Sequence, residues 1–145
     1  MSETTKQKRL SKNKLVLLVL AAVVVLLLIY LVPVTKPIQK TLPCTHYSAD
    51  ETALENGEMQ INLSYKNYLI KPDTLSGNIT LFFDTGERIV EVDLSDAESI
   101  LRHSTFMGFT YDAGEPSVAF INYEDDFDAC SVSIEGEVYS SPKIK

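Results

Sequence analysis

The sequence of 145 residues has no tryptophan, two cysteines, two histidines and six glycines. Without tryptophan the chain lacks the buried indole of an immunoglobulin-type core, and its cysteines stand at opposite ends of the expected domain. His103 is the one histidine inside that domain, and no Gly-x-Ser-x-Gly motif is present. The sequence therefore gives little support to a hydrolase triad, and we assign no catalytic residue.

Positive charge is scarce after the first 14 residues. Residues 1–14 carry five basic side chains and one acidic side chain, whereas residues 33–145 carry 8 basic and 19 acidic side chains, a net charge of −11. This balance excludes a nucleic-acid binder that works through its main domain. Because an acidic domain is repelled by anionic lipid, we expect it to stand away from the membrane.

One long apolar run dominates the N-terminal part of the chain. All 18 residues from Leu15 to Val32 are apolar, and at about 1.5 Å each they reach ~27 Å, close to the hydrocarbon core of a bilayer. The sequence predicts a single transmembrane helix over residues 15–34, which excludes a soluble cytosolic enzyme and a multi-pass transporter. A cleaved signal peptide is the alternative, but its apolar region is shorter and ends in a small-x-small site that is missing here.

The basic residues before this run predict the topology. They place residues 1–14 in the cytoplasm and the C-terminal domain outside a cell membrane, with the bilayer contacted through residues 15–34. Residues 35–58 contain Pro37, Pro43 and the turn dipeptide Asn56-Gly57, which is typical of a stalk.

From Met59 onward apolar residues alternate with polar ones, as in half-buried strands. On one such strand Met107, Phe109 and Tyr111 share a face. A capping box, Ser95 to Glu98, predicts one short helix that ends near His103. We therefore expect a small all-β domain, a β-sandwich, over residues 59–140, followed by a tail, 141–145. A small α+β domain is the alternative.

The two cysteines are predicted to lie in an oxidising compartment. A disulfide between Cys44 and Cys130 would clamp the stalk to the last strand of a domain whose core is small. Two free buried thiols or an intermolecular bridge are the alternatives.

A short acidic cluster is the one candidate metal site that uses oxygen ligands. Four carboxylates at this density could bind Ca²⁺ outside the cell, although the spacing is not that of an EF-hand: Glu124, Asp125, Asp126 and Asp128. The alternative is a solvated loop. No other cofactor is expected.

Two further motifs have simpler explanations. Asp84-Thr85-Gly86 matches the core of the aspartic-protease signature, but the same residues are typical of a hairpin turn. Two cysteines and two histidines could form a zinc site, although their spacing is unlike known ligand pairs: Cys44, His46, His103 and Cys130.

Aromatic residues could form a contact surface on the face of the sheet that is turned away from the core. The candidates are Tyr65, Tyr68, Phe82 and Phe106. With no convergent catalytic residues, the sequence favours a non-enzymatic interaction or accessory module of a cell-envelope complex, with a protein partner. A ligand- or Ca²⁺-binding sensor and a membrane-anchored hydrolase are the alternatives.

Overall fold

A computed structural model of the chain describes residues 12–97, 104–112 and 114–142. One N-terminal helix, α1 (Lys12–Leu31), precedes eight antiparallel strands that close into a barrel in chain order. The strands are β1 (Val34–Tyr47), β2 (Ala53–Asn67), β3 (Thr74–Phe83), β4 (Gly86–Leu94), β5 (Thr105–Asp112), β6 (Glu115–Glu124), β7 (Ala129–Ile134) and β8 (Glu137–Ser140). A 3-10 turn, Asp125–Phe127, joins β6 to β7.

Helix α1 contains most of the apolar run, and none of its residues is buried against the barrel. It ends at Leu31, just before Pro33, whose ring removes a backbone donor and disfavours helix at the preceding residue. Within the described residues it is the one helix long and apolar enough to cross a membrane. The predicted N-terminal apolar helix is thus present.

The predicted β-sandwich is wrong, because the sheet closes on itself. Each strand pairs with the next, and β8 returns to β1 through Thr45–Ser140, His46–Tyr139 and Tyr47–Val138. The α+β alternative is also wrong, because the described residues after α1 form one closed antiparallel barrel. The short helix expected up to His103 falls largely on residues 98–103, which lie outside the described part of the chain.

The strand that closes the barrel comes from residues expected to form a stalk. Residues 34–47 form β1 and pair with β2 along their whole length, from Val34–Asn67 to Tyr47–Ala53. In the described chain β8 reaches only the last three residues of β1, so Pro37 and Pro43 face an edge without a ladder there. Proline is tolerated at such edges, which explains why its presence did not exclude a strand.

The core fills the barrel, because alternate residues of every strand point inward. The inward side chains of β2 and β3 are almost fully buried, and those of β4, β6 and β7 complete the core: Met59, Ile61, Leu63, Leu75, Ile79, Leu81, Val90, Val92, Ile121, Val132 and Ile134. Beside the first half of β1 the wall is completed by Phe127, which is 1% exposed.

The antiparallel order gives the barrel two distinct ends. The helix-proximal end holds the start of β1, the loop between β2 and β3, and the 3-10 turn. The distal end holds the end of β1, the β3–β4 turn and the start of β8.

Candidate functional site

The outer surface of β4, β5 and β6 carries a contiguous set of exposed apolar side chains, here called the apolar face. Each of these side chains is between 43% and 59% exposed: Ile89, Met107, Phe109, Tyr111, Val118 and Phe120. The pairs Met107–Phe120 and Phe109–Val118 are directly opposite each other across β5 and β6. Large apolar surfaces on a soluble domain mark sites of association.

The inner surface of β5 has little room at Gly108, the residue between Met107 and Phe109 of the apolar face. A Cβ added at Gly108 would lie 2.7 Å from the carbonyl oxygen of Glu91 and 2.7 Å from a methyl of Val90. Gly108 pairs with Ala119 of β6, another small inward residue. Gly108 and Ala119 thus face inward at this point, and their neighbours Met107, Phe109, Val118 and Phe120 face outward.

Acidic side chains flank the apolar face. Glu87, Glu91 and Asp93 point outward from β4, on the same surface as Ile89. Glu135, in the turn after β7, accepts a hydrogen bond from the hydroxyl of Ser117 at the distal end of β6. The surface thus combines an apolar centre with an acidic border along β4.

A polar pocket opens at the distal end, and His46 stands at its centre. The ring of His46 stacks on Tyr139 with centroids 4.4 Å apart. Its Nδ1 lies 3.5 Å from Oε1 of Glu55, and its Nε2 lies 3.4 Å from Oε2 of Glu137. Neither ring nitrogen makes a hydrogen bond in the structure, although both are buried.

The other groups of this pocket are already paired with each other. Thr85 donates to Glu55 at 2.6 Å, and this bond together with His46 lowers the pKa of the Glu55 carboxyl. Tyr139 donates to Glu137 at 2.9 Å, and Arg88 donates to the Tyr139 hydroxyl at 3.2 Å. Burial, followed by the bond to Glu137, raises the pKa of Tyr139 to about 12. These side chains, which line the pocket at the distal end, are thus hydrogen-bonded to one another.

Two carboxylates of the acidic cluster predicted to bind Ca²⁺ are paired with lysines. Asp126 forms an ion pair with Lys36 at 2.9 Å, and Asp128 pairs with Lys40, so both carboxylates face lysines of β1. Glu124 is exposed at the end of β6, and the Asp125 side chain lies outside the described part of the structure. Among the described residues no three His, Cys, Asp or Glu side chains form a group that could hold a metal ion.

The four aromatic residues predicted as one contact surface are spread over different environments. Phe106 is in the core at 2% exposure, and Tyr65 packs against the core and donates to Asp73. Phe82 is half-buried on β3, and Tyr68 lies in the loop after β2. The exposed apolar residues are instead the outward neighbours of Phe106 on β5 and of Ile121 on β6. The alternation on β5 did place Met107, Phe109 and Tyr111 on one face, but it did not show that this face is the outer one.

The two cysteines are free and buried in the structure, so the predicted disulfide is not formed there. Burial, followed by the charge of Glu58, raises the pKa of Cys44 to about 11, and burial raises the pKa of Cys130 to about 12. Both groups are therefore neutral thiols at physiological pH. Their pairing upon oxidation stays a prediction.

The remaining motifs also have a place in the fold. Asp84 and Thr85 form the tight turn between Phe83 and Gly86, which pair across β3 and β4, as the hairpin interpretation predicts. Of the residues considered for zinc, His46 faces two glutamates, and His103 lies outside the described residues.

No family model matches the chain, and no curated protein or solved structure shows significant similarity to it. The geometry of the chain itself therefore carries the functional argument.

Proposed function

We propose that this protein is a membrane-anchored interaction module that holds a partner protein against its apolar face. The observation that carries the proposal is the continuous pairing of exposed apolar side chains across β5 and β6, Met107 with Phe120 and Phe109 with Val118. Solvent exposure of such a surface is unfavourable, and the barrel does not need it for its core.

The anchor in this proposal is α1. Its apolar residues are exposed to the surroundings rather than to the barrel, as a bilayer-spanning helix requires. Five basic residues precede the run, which favours a cytoplasmic N-terminus and a barrel on the other side of the membrane.

The border of the apolar face indicates the chemistry of the partner. A surface bordered by Glu87, Glu91 and Asp93 along β4 fits a protein with an apolar centre and lysines or arginines at the matching edge. A second copy of this chain offers no such basic edge from β4, because the charged side chains that point outward from β4 are acidic in both copies.

The test is site-specific photo-crosslinking of the full-length protein in its native membrane. A photoreactive residue replaces Met107 on the apolar face, and the matched control replaces Asn62, which is exposed on the polar outer surface of β2. We expect a crosslinked protein from position 107 and not from position 62. Its yield should fall in Glu91→Lys, because that change puts a positive charge beside the basic border of the partner.

Three results would contradict the proposal. A crosslink to a second copy of the chain would replace the partner by a homodimer. Equal crosslinking from positions 62 and 107 would show that the apolar face is not the docking surface. The absence of any crosslink at position 107 in the native membrane would show that the face is uncovered.

A further inference from the structure

The barrel begins immediately after α1. Helix α1 ends at Leu31 and β1 starts at Val34, so only Val32 and Pro33 lie between them, a reach of about 7 Å at most. The stalk that would hold the acidic domain away from a membrane is absent, because its residues form β1. If α1 spans a bilayer, as the proposed function requires, the helix-proximal end of the barrel lies at the bilayer surface.

One loop at this end contacts the helix. The loop between β2 and β3, residues 68–73, brings the Lys71 ammonium to 4.9 Å from the ring centroid of Tyr30, in the last turn of α1. The same ammonium is 5.7 Å from the ring centroid of Tyr68. Tyrosine and lysine are typical of the interfacial layer of a membrane, where a ring sits at headgroup level and an ammonium reaches phosphate.

The tip of this loop exposes two consecutive aliphatic side chains. Leu69 is 74% exposed and Ile70 is 64% exposed, more than any member of the apolar face. Neither side chain contributes to the barrel core. They are therefore free to contact whatever lies beside the end of α1.

The loop is held in shape by a buried carboxylate. Asp73 is 4% exposed and accepts hydrogen bonds from the Tyr65 hydroxyl, from Nδ2 of Asn67 at 2.9 Å and from the backbone amide of Tyr68 at 2.9 Å. These bonds fix the point at which the chain leaves β2. Leu69 and Ile70 are thus presented by an ordered loop rather than by a loose segment, which reduces the entropy lost on binding.

We propose that Leu69 and Ile70 insert into the leaflet next to the barrel, in the same membrane that α1 crosses. Lys71, with Tyr30 and Tyr68, then lies at headgroup level. This proposal rests on the membrane anchor of the proposed function and adds a second membrane contact to it. The bilayer is the occupant because the loop continues the surface of α1 at the point where the helix leaves the membrane. The contact fixes the orientation of the barrel, so that the apolar face is turned to the side and the polar pocket points away from the membrane.

The chain contains no tryptophan, so a single introduced tryptophan is an unambiguous reporter. Three variants of the full-length protein are reconstituted in phosphatidylcholine nanodiscs with and without brominated acyl chains. Ile70→Trp reports on the loop and Leu28→Trp on α1. Leu54→Trp is the control, because Leu54 is 55% exposed at the start of β2, at the distal end. Since Ile70 and Leu54 are exposed, folding is preserved, and circular dichroism verifies it.

We expect the emission of Ile70→Trp and Leu28→Trp to shift to shorter wavelength and to lose most of its intensity in brominated lipid. Leu54→Trp should keep both its wavelength and its intensity. Quenching of Leu28→Trp without quenching of Ile70→Trp would overturn the loop contact and leave the anchor intact. Lack of quenching in both would instead overturn the anchor itself.

Two other outcomes also contradict the loop contact. If Ile70→Trp shifts to shorter wavelength but is not quenched by brominated lipid, the loop is covered by protein rather than by the bilayer. If Leu54→Trp is quenched as strongly as Ile70→Trp, the barrel lies on its side, and the ordered orientation proposed above is wrong.

Discussion

Two walls of the same barrel have opposite outer surfaces. On β2 and β3 three consecutive outward pairs are polar: Gln60–Thr80, Asn62–Asn78 and Ser64–Ser76. On β5 and β6 the two central outward pairs are apolar: Met107–Phe120 and Phe109–Val118. Most inward residues of both walls are apolar and buried. The fold explains the inner surfaces of both walls, but it does not explain the apolar outer surface of β5 and β6.

The two walls also differ in how they are joined to their neighbours. β2 pairs continuously with β1 and β3, whereas the described residues of β4 and β5 share the single pair Glu91–Phe109. The apolar face lies across this weak seam, with Ile89 on one side and Phe109 on the other. A partner bound there would cover apolar surface and also hold the seam closed.

The largest effect should come from inward residues, and it should be equal on the two walls. Ile79→Ala on β3 and Ile121→Ala on β6 each remove a side chain that is fully buried. Each should lower the free energy of unfolding by about 2–5 kcal/mol, through lost burial and the cavity that remains. Thermal unfolding of the full-length protein in detergent, followed by circular dichroism, measures both. A much smaller loss for Ile121→Ala would show that the second wall is not packed as described.

A smaller effect should follow from an added methyl at the seam. Gly108→Ala places a Cβ 2.7 Å from the Glu91 carbonyl oxygen, and backbone cannot move aside as a flexible side chain can. We expect a loss of about 1–3 kcal/mol and faster amide hydrogen exchange in β4 and β5 than in β2 and β3. Thr80→Val, on the polar outer surface of β3, is the control. Unchanged hydrogen exchange in Gly108→Ala would mean that β4 and β5 can shift enough to accommodate the added methyl group.

The sequence predicted the individual strands better than their assembly. The alternating segments from Met59 onward lie in strands, because half-burial imposes a period of two, although the last of them, Cys130 to Val138, is divided by a turn into β7 and β8. Strand β1 was not predicted, because its prolines disfavour a strand unless they lie on an unpaired edge. Which edges are unpaired becomes known only from the assembled sheet. The barrel was missed with it, because closure depends on the three residue pairs between β1 and β8.

The candidate surface was harder to predict, for a local reason. Alternation placed Met107, Phe109 and Tyr111 on one face, but Phe106-Met107 and Ala119-Phe120-Ile121 are apolar at adjacent positions, so hydropathy does not show which face is turned inward. The direction is decided by the close approach of Gly108 to β4, which is a long-range contact. Phe106, which was predicted to lie on a contact surface, is therefore in the core, and its neighbour Met107 is exposed.

At the wall formed by β2 and β3, polar groups bond to other groups of the protein. We expect the stability of the protein in acid to depend on these bonds. Burial by itself raises the pKa of Asp73, but hydrogen bonds from Tyr65, the Tyr68 amide and Asn67 outweigh burial and lower it. A carboxyl with a lowered folded pKa adds stability above its unfolded pKa of about 3.9, and this contribution is lost as the pH falls through the folded value. Asp73→Asn should therefore cost about 1–3 kcal/mol at pH 7 and flatten the loss of stability in acid.

The check for Asp73 is the melting temperature of the wild type and of Asp73→Asn at several values between pH 7 and the acid limit of folding. Ser76→Ala, on the outward surface of β3, is the control and should follow the wild type. Parallel curves for the wild type and Asp73→Asn would show that the carboxylate and its bonds do not contribute to the acid response.

The smallest effect on stability should come from the apolar face itself. Phe109→Ser removes a large side chain that is 48% exposed and is not a member of the core cluster, so the free energy of unfolding should change by less than about 1 kcal/mol. Asn62→Ser on the polar wall is the matched change and should be as mild. Thermal unfolding of the isolated protein measures both. A large loss in Phe109→Ser would show that the apolar face supports the weak seam from outside and is explained by folding. A negligible loss would leave partner binding as the reason why the second wall is apolar where the first is polar.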